Sequence, residues 1–171
     1  VESDDGILKG ISSNKIWIEM STTNEKEVLR LGKLFEEKKA HILDCPVSGG
    51  CHRADTGNIS IFSGGDYHIF QSVLPLLKFM GRRILHTGRL GSASILKVMT
   101  NYLASVNLVS IGEALAVCKL AGMDMKTTYE AIRISSGNSF VNETETQVIL
   151  NGSYDVNFTM ELVLKDIGIF N

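Results

Sequence analysis

The chain has 171 residues, room for one large domain or two small ones, and 44% of them are hydrophobic against 21% charged, a balance that supports a sizeable core. A formal net charge of −2 argues against a nucleic-acid surface, and no polybasic run suits an anionic membrane. The three cysteines, Cys45, Cys51 and Cys118, make no even disulfide framework and point to a reducing compartment; no C-x-x-C stands with the histidine cluster that a structural zinc site would need.

The first half alternates strand and helix signals. "KIWIEM", Lys15 to Met20, reads as a short strand between polar flanks. From Asn24 to Lys39 the apolar positions Val28, Leu31, Leu34 and Phe35 fall at helical spacing. "HIL" is a second strand, "NISIFSGG" (Asn58 to Gly65) a third and "RRILHTG" a fourth. Between the last two, Asp66 is placed to cap a helix, and Pro75 inside it predicts a kink or two shorter pieces. Such alternation predicts a parallel or mixed α/β sheet.

The second half changes pattern near Leu90. From Ala93 to about Ala121 there is no proline and one glycine, Gly112, with apolar residues on most sides. A helix that apolar all round is expected to be buried. Its polar positions argue against a membrane span, and no targeting signal opens the chain. Gly122 supplies the stop. Helical runs follow in "KTTYEAIRIS", "FVNETETQVIL" and "TMELVLKDIGIF". The chain starts at Val1 and breaks off inside an apolar-periodic run, so the expectation is a piece of something larger.

Three places could carry chemistry. On the long helix, Ser94, Lys97, Asn101 and Ser105 are spaced by three, four and four residues and share one face. A lysine in apolar surroundings has its charged form disfavoured, so Lys97 could exchange a proton near neutral pH, with Asn101 one turn on to hold a substrate oxygen. The same stripe would equally serve as the solvated edge of an amphipathic helix. In "DCPVSGG", Gly49 and Gly50 let the main chain approach a ligand, Ser48 adds a hydroxyl donor and Pro46 stiffens the approach. A carboxylate would suit that nest; a plain turn would use the same dipeptides. "MSTTNE", Met20 to Glu25, lies at the carboxyl end of a strand, where ligands of α/β sheets collect, and Thr22, Thr23 or Asn24 would also cap the next helix. His52 and His86 have no metal-spaced partners and read as packing or surface residues.

Taken together, "DCPVSGG…ADTGNISIFSGGD", "HTGRLGSASILKVMTN" and "LVLKDIG" resemble, in order and spacing, the motifs of the β-hydroxyacid dehydrogenase family. That family includes 3-hydroxyisobutyrate dehydrogenase and tartronate and glyoxylate/succinic semialdehyde reductases, with 6-phosphogluconate dehydrogenase a distant relative. The likeness runs from about Gly6 to the last residue.

The resemblance implies an α/β fold: the C-terminal part of a Rossmann-type NAD(P)-binding domain over residues 1–90, then an all-α substrate and dimerisation domain, itself truncated, over 91–171, joined by a long helix. It implies NAD or NADP as cofactor, and a small carboxylate-bearing hydroxyacid or semialdehyde as substrate. Lys97 matches the catalytic lysine. Ser48, Gly49 and Gly50 match the substrate-carboxylate loop and Asn101 a substrate-binding asparagine. Thr22 and Lys165 match cofactor-side positions; no metal is implied. It further implies a homo-oligomer, without nucleic-acid or membrane partners, in the cytoplasm or, in a eukaryote, the mitochondrial matrix.

There are departures. Ala93 stands where the motif has a second glycine, and Ile167 replaces a leucine. No strand–Gly-x-Gly-x-x-Gly–helix occurs in these residues, so the choice between NAD and NADP is not legible and the 171 residues alone are expected to be inactive. A non-catalytic relative serving as a dimerisation or protein-interaction module is the rival reading, and an imine-reducing enzyme a second. The retained Lys97 and Asn101 speak against the first, and Lys97 against the second.

Overall fold

The computed structural model describes residues 1–156 and 158–170. It divides into two compact units, Val1–Met99 with the segment from Asp166 onward, and Thr100–Lys165. The first unit holds a short helix α1 (Ile7–Gly10), then β1 (Ile16–Glu19), α2 (Glu25–Glu37), β2 (His41–Asp44), β3 (Val47–Ser48), α3 (Gly50–Asp55), β4 (Ile59–Gly64), α4 (Tyr67–Met80) and β5 (Gly81–Gly88). The helix α5 (Ser92–Leu120) starts in it, and α6 (Met125–Arg133), α7 (Phe140–Leu150) and α8 (Met160–Phe170) follow.

The five strands make one mixed sheet. β1 pairs parallel with β2, and β4 parallel with β5. β2 and β3 both pair antiparallel with β4: Asp44 faces Gly64, Val47 faces Ile61 and Ser48 faces Ser60. Between them the Phe62 N–H donates to the Pro46 carbonyl at 3.1 Å. The register is therefore continuous, and β2 and β3 are one strand interrupted at Cys45 and Pro46, where proline has no N–H to give.

Alternation along these strands feeds two cores. Leu43, Cys45 and Ile61 pack with Phe70, Val73 and Leu77 of α4, joined by Ile16 and Ile18 of β1. Trp17, one residue out of phase, faces the other side with Leu31 and Phe35 of α2. Its ring stacks on Phe35 at 4.7 Å with 18° between planes. Of the apolar positions read at helical spacing in α2, Leu31, Leu34 and Phe35 fill this second core, and Val28 is buried as well.

Asp66 caps α4, accepting from His68 and Ile69 N–H at 2.8 and 3.0 Å. The helix then runs unbroken through Pro75, not as two pieces. Pro75 and Gln71, whose carbonyl the missing N–H would have met, both lie at the exposed surface, so water can take that carbonyl.

The expectation that the long helix is buried is corrected. Val98, Ile111 and Leu115 of α5 are buried, yet Leu103, Val109, Val117 and Leu120 are 57%, 62%, 67% and 89% exposed. The described residues cover only one stripe of a helix that is apolar on most sides. By length and composition alone, α5 could also cross a membrane, so its polar positions are too few to exclude that on composition. Gly122, at φ 76°, forms the left-handed stop just past its end.

In the second unit, Asp124 caps α6 through Thr127 N–H and Oγ1, both at 2.8 Å, and Ser139 caps α7 through Asn142 N–H at 3.1 Å. Gln147 of α7 donates to the Tyr129 hydroxyl of α6 at 2.9 Å.

Candidate active site

Ser48, Gly49 and Gly50 lie where β3 turns into α3. Gly49 has φ 129° and Gly50 φ 72°, a backbone course that residues with a Cβ rarely adopt. The pair of glycines is therefore required by the chain path. A Cβ at Gly49 would also lie 2.6 Å from Cδ of Arg53, whose aliphatic stem covers it. Sequence reading gave Arg53 no role.

The site's frame is set by a residue that sequence reading quoted but did not single out. Asp44 ends β2 and is 0% exposed. Its Oδ1 accepts the Gly91 N–H at 2.9 Å, and its Oδ2 accepts the Ser94 N–H at 2.8 Å and the Ser94 hydroxyl at 3.0 Å. These are first-turn donors of α5, which otherwise lack partners within the helix. Burial pushes the Asp44 carboxyl above its ordinary range, while the Gly91 and Ser94 donors pull it down. The legible signal was an acid inside the otherwise apolar run "HILDCPV", since buried carboxylates need partners.

Space for that carboxylate comes from Gly64, whose added Cβ would collide with Asp44 Oδ1. Around it, the Thr87 hydroxyl reaches the Ser63 carbonyl at 3.2 Å and the Ser92 hydroxyl at 2.7 Å, and Cys45 Sγ lies 3.3 Å from Ser63 Oγ. Burial pushes the Cys45 thiol up to about 11.

One turn beyond the clamp stands Lys97, only 9% exposed. With Ser94 1% exposed, this part of the polar stripe is not a solvated helix edge. The stripe is not uniform in purpose. Ser94 spends its hydroxyl on Asp44, and Ser105 donates to the Asn101 carbonyl at 3.0 Å within the helix. Asn101 is half-buried on the same helix, within the second unit.

In the turn after β1, Asn24 is the cap of α2, accepting the Glu27 N–H at 2.7 Å. Thr22 is half-buried at the carboxyl end of β1, the end at which an α/β sheet collects ligands. In the same unit an open cleft of about 430 Å³ is lined by Asn24, Glu25, Ser94, Val98, Met99 and Gly168 among others. Lys165 is exposed on α8 in the second unit, whereas its neighbour Asp166 is buried. The structure thus brings Ser48, Gly49, Gly50, Thr22 and Lys97 into the first unit and leaves Asn101 and Lys165 in the second. His86 bonds the Gly65 carbonyl through Nε2 at 2.9 Å and packs on Tyr67 and Phe70, a packing role; the His52 side chain lies outside the described residues.

Comparison with known proteins bears on this geometry. Residues 1–88 match the NAD binding domain of 6-phosphogluconate dehydrogenase, and residues 91–171 the NAD-binding domain of NADP-dependent 3-hydroxyisobutyrate dehydrogenase. The chain is 31% identical to 2-(hydroxymethyl)glutarate dehydrogenase of Eubacterium barkeri, over 96% of this chain and 55% of that protein. It is 30% identical to mitochondrial 3-hydroxyisobutyrate dehydrogenase of Rattus norvegicus, over 96% of this chain and 51% of that one. Its fold superposes with TM-score 0.86 and 25% identity on Mycobacterium tuberculosis 3-hydroxyisobutyrate dehydrogenase, solved with L-serine, over 95% of this chain and 58% of that one. The chain thus spans about half the length of the curated relatives it matches. The fold is a Rossmann-like domain followed by a helical domain, as the motifs implied. Both matched domains bind nicotinamide dinucleotides, in agreement with NAD or NADP as the cofactor.

Proposed function

The chain belongs to the β-hydroxyacid dehydrogenase family, and from that premise we propose that it carries the proton-transfer and substrate-holding part of an enzyme that oxidises a small 3-hydroxyacid, or reduces the corresponding semialdehyde, with NAD or NADP. The observation that carries this reading is the burial of Lys97 one turn from a clamped helix start. The compounds named for three similar proteins support a narrower substrate class. 2-(Hydroxymethyl)glutarate, 3-hydroxyisobutyrate and L-serine are all 3-hydroxypropanoates substituted at C2, with a primary alcohol. We take that scaffold as the substrate class.

In oxidation, Lys97 as neutral amine takes the proton from the C3 hydroxyl; in reduction it returns it to the carbonyl oxygen. The Ser48 hydroxyl and the N–H groups of Gly49 and Gly50 hold the carboxylate, and Asn101 a further substrate oxygen. When bound, the nicotinamide supplies the hydride acceptor for oxidation and the donor for reduction. Holding the acid end fixes the reacting carbon, and such positioning can contribute about 7 kcal/mol or more to lowering the barrier.

The residues present fit one end of the dinucleotide. The cleft at the start of α2 sets polar Asn24 beside apolar Val98 and Met99, a lining suited to an amide-bearing ring. Thr22 and Lys165 are the cofactor-side positions that the family motifs imply. The glycine-rich pyrophosphate loop is not in this sequence, so no residue here is assigned to that part. The exposed apolar positions of α5 favour a homo-oligomer, which we propose alongside the enzymatic reading.

A substrate panel on the intact protein tests the proposal. 3-Hydroxyisobutyrate and L-serine should support NAD(P)H formation, and their neutral amides should not, because a site whose donors are set for an anion leaves them unpaired with an uncharged analogue. Equal rates with acids and amides would remove the carboxylate role from Ser48, Gly49 and Gly50.

A further inference from the structure

We propose that Asp44 is a positioning residue that fixes the distance between the carboxylate loop, Ser48 to Gly50, and Lys97. The inference rests on the function proposed above and assigns a role to a side chain that the reaction itself does not use.

Asp44 belongs to both parts at once. Its main chain is in the sheet, paired with Glu19 of β1 and facing Gly64 of β4. The same antiparallel register carries on to Ser48 opposite Ser60, so three residues separate Asp44 from the loop along a strand held at both ends. Pro46, fully buried, fixes φ within that stretch. Its side chain meanwhile grips α5 at Gly91 and Ser94, and Ser94 stands one turn before Lys97. Three bonds to one carboxylate leave α5 little freedom to rotate or slide against β2. Charge-assisted bonds of this kind are the stronger sort, and a negative group is favoured at a helix N-terminus.

The surrounding chain is shaped for this grip. Gly64 leaves the room that the carboxylate fills. Ala93, where the family motif has glycine, is 0% exposed in the same first turn, so that turn is packed as well as bonded. An asparagine at position 44 could accept from two of the three donors, but its NH2 would face the third, and α5 would have to shift. A shift of about 1 Å between reacting groups can cost on the order of a hundredfold in rate.

The test is steady-state kinetics on the intact protein with 3-hydroxyisobutyrate or L-serine. Active sites are counted by NADH and NADPH titration, so that kcat refers to folded molecules only. Asp44→Asn should lower kcat per site by about a hundredfold, with dinucleotide affinity near wild type. Ser94→Ala removes one of the three bonds and should lower kcat about three- to tenfold, and Ser94→Thr, which keeps the hydroxyl, should restore most of it. If Asp44→Asn does not fold, the Ser94 pair decides. Unchanged kcat per site in Asp44→Asn or Ser94→Ala, with only a lower melting temperature, would make Asp44 a purely structural cap and overturn the proposal. Lys97→Ala in the same assay separates the two readings. If it leaves turnover near wild type, the proposed reaction fails; if it abolishes turnover while the Asp44 and Ser94 variants remain fast, only the positioning role fails.

Discussion

Gly64 of β4 faces the Asp44 carboxylate so closely that a Cβ there would collide with Oδ1, and would also come within 2.8 Å of the Arg89 carbonyl and 2.9 Å of Ser92 Oγ. Two of those three neighbours are main chain or a clamped carboxylate, so they cannot swing aside. Gly64→Ala should therefore destabilise the protein by about 1–3 kcal/mol, the usual range for overpacking. Urea unfolding of wild type and variant measures it. A variant as stable as wild type would mean that the Asp44 side chain is not held where it is described.

The two glycines of the loop are constrained differently, by backbone conformation. Gly49→Ala and Gly50→Ala each put a Cβ into a left-handed region, at φ 129° and 72°, at about 1–2 kcal/mol for the αL case. The loop should relieve that strain by moving, so KM for the acid substrate should rise more than kcat falls. The outcome that contradicts this is an unchanged KM in both variants.

How much of this was legible in the sequence differs by element. β1, β2, β4 and β5 follow from β-rich runs bounded by polar or glycine residues, and α2 and α4 from capping residues and periodicity. β3 and α3 were missed because "VSGGCHRAD" carries no period at all; its path is dictated by two positive-φ glycines and by pairing to β4, a non-local cause. Pro75 left one kinked helix and two pieces both open, and α4 is one helix; the sequence could not choose because whether a lost hydrogen bond matters depends on exposure. The burial of α5 was overread: apolar composition reports what a helix can bury, not which neighbours cover it. Lys97 and the Ser48–Gly50 loop stood out from their neighbours in the chain. Asp44 was visible only as an acid in an apolar run; its role was not, because its donors lie 47 and 50 residues away.

The cysteines should differ sharply in reactivity. Cys45 is fully buried, and burial raises its thiol to about 11, so at pH 8 only about a thousandth is thiolate. Cys51 is exposed on α3. Iodoacetamide at about pH 8, followed by peptide mass analysis, should label Cys51 in the native protein and Cys45 only after unfolding. Labelling of both at one rate would contradict the packing of β2 against α4.

Two helix caps make stability depend on acid pH. The Ile69 and His68 N–H groups hold the Asp66 carboxyl below the usual carboxylate range, and the Thr127 N–H and hydroxyl do the same for Asp124. A carboxyl whose folded value is depressed adds stability above its unfolded value, near about 4, and loses it as pH falls through the folded value. Asp66→Ala and Asp124→Ala should each lower the melting temperature at neutral pH and flatten its decline below about pH 4. Variants that melt like wild type at neutral pH would show that the caps contribute nothing.

The most direct test of the central claim is the turnover of Lys97→Ala in the intact protein, with 3-hydroxyisobutyrate or L-serine and saturating NAD or NADP. Lys97 is buried one turn from Ser94, and a proton-transfer group contributes about a hundred- to ten-thousandfold. The account predicts a fall in kcat of that size with dinucleotide affinity near wild type. A variant that keeps turnover within a few-fold of wild type would contradict it.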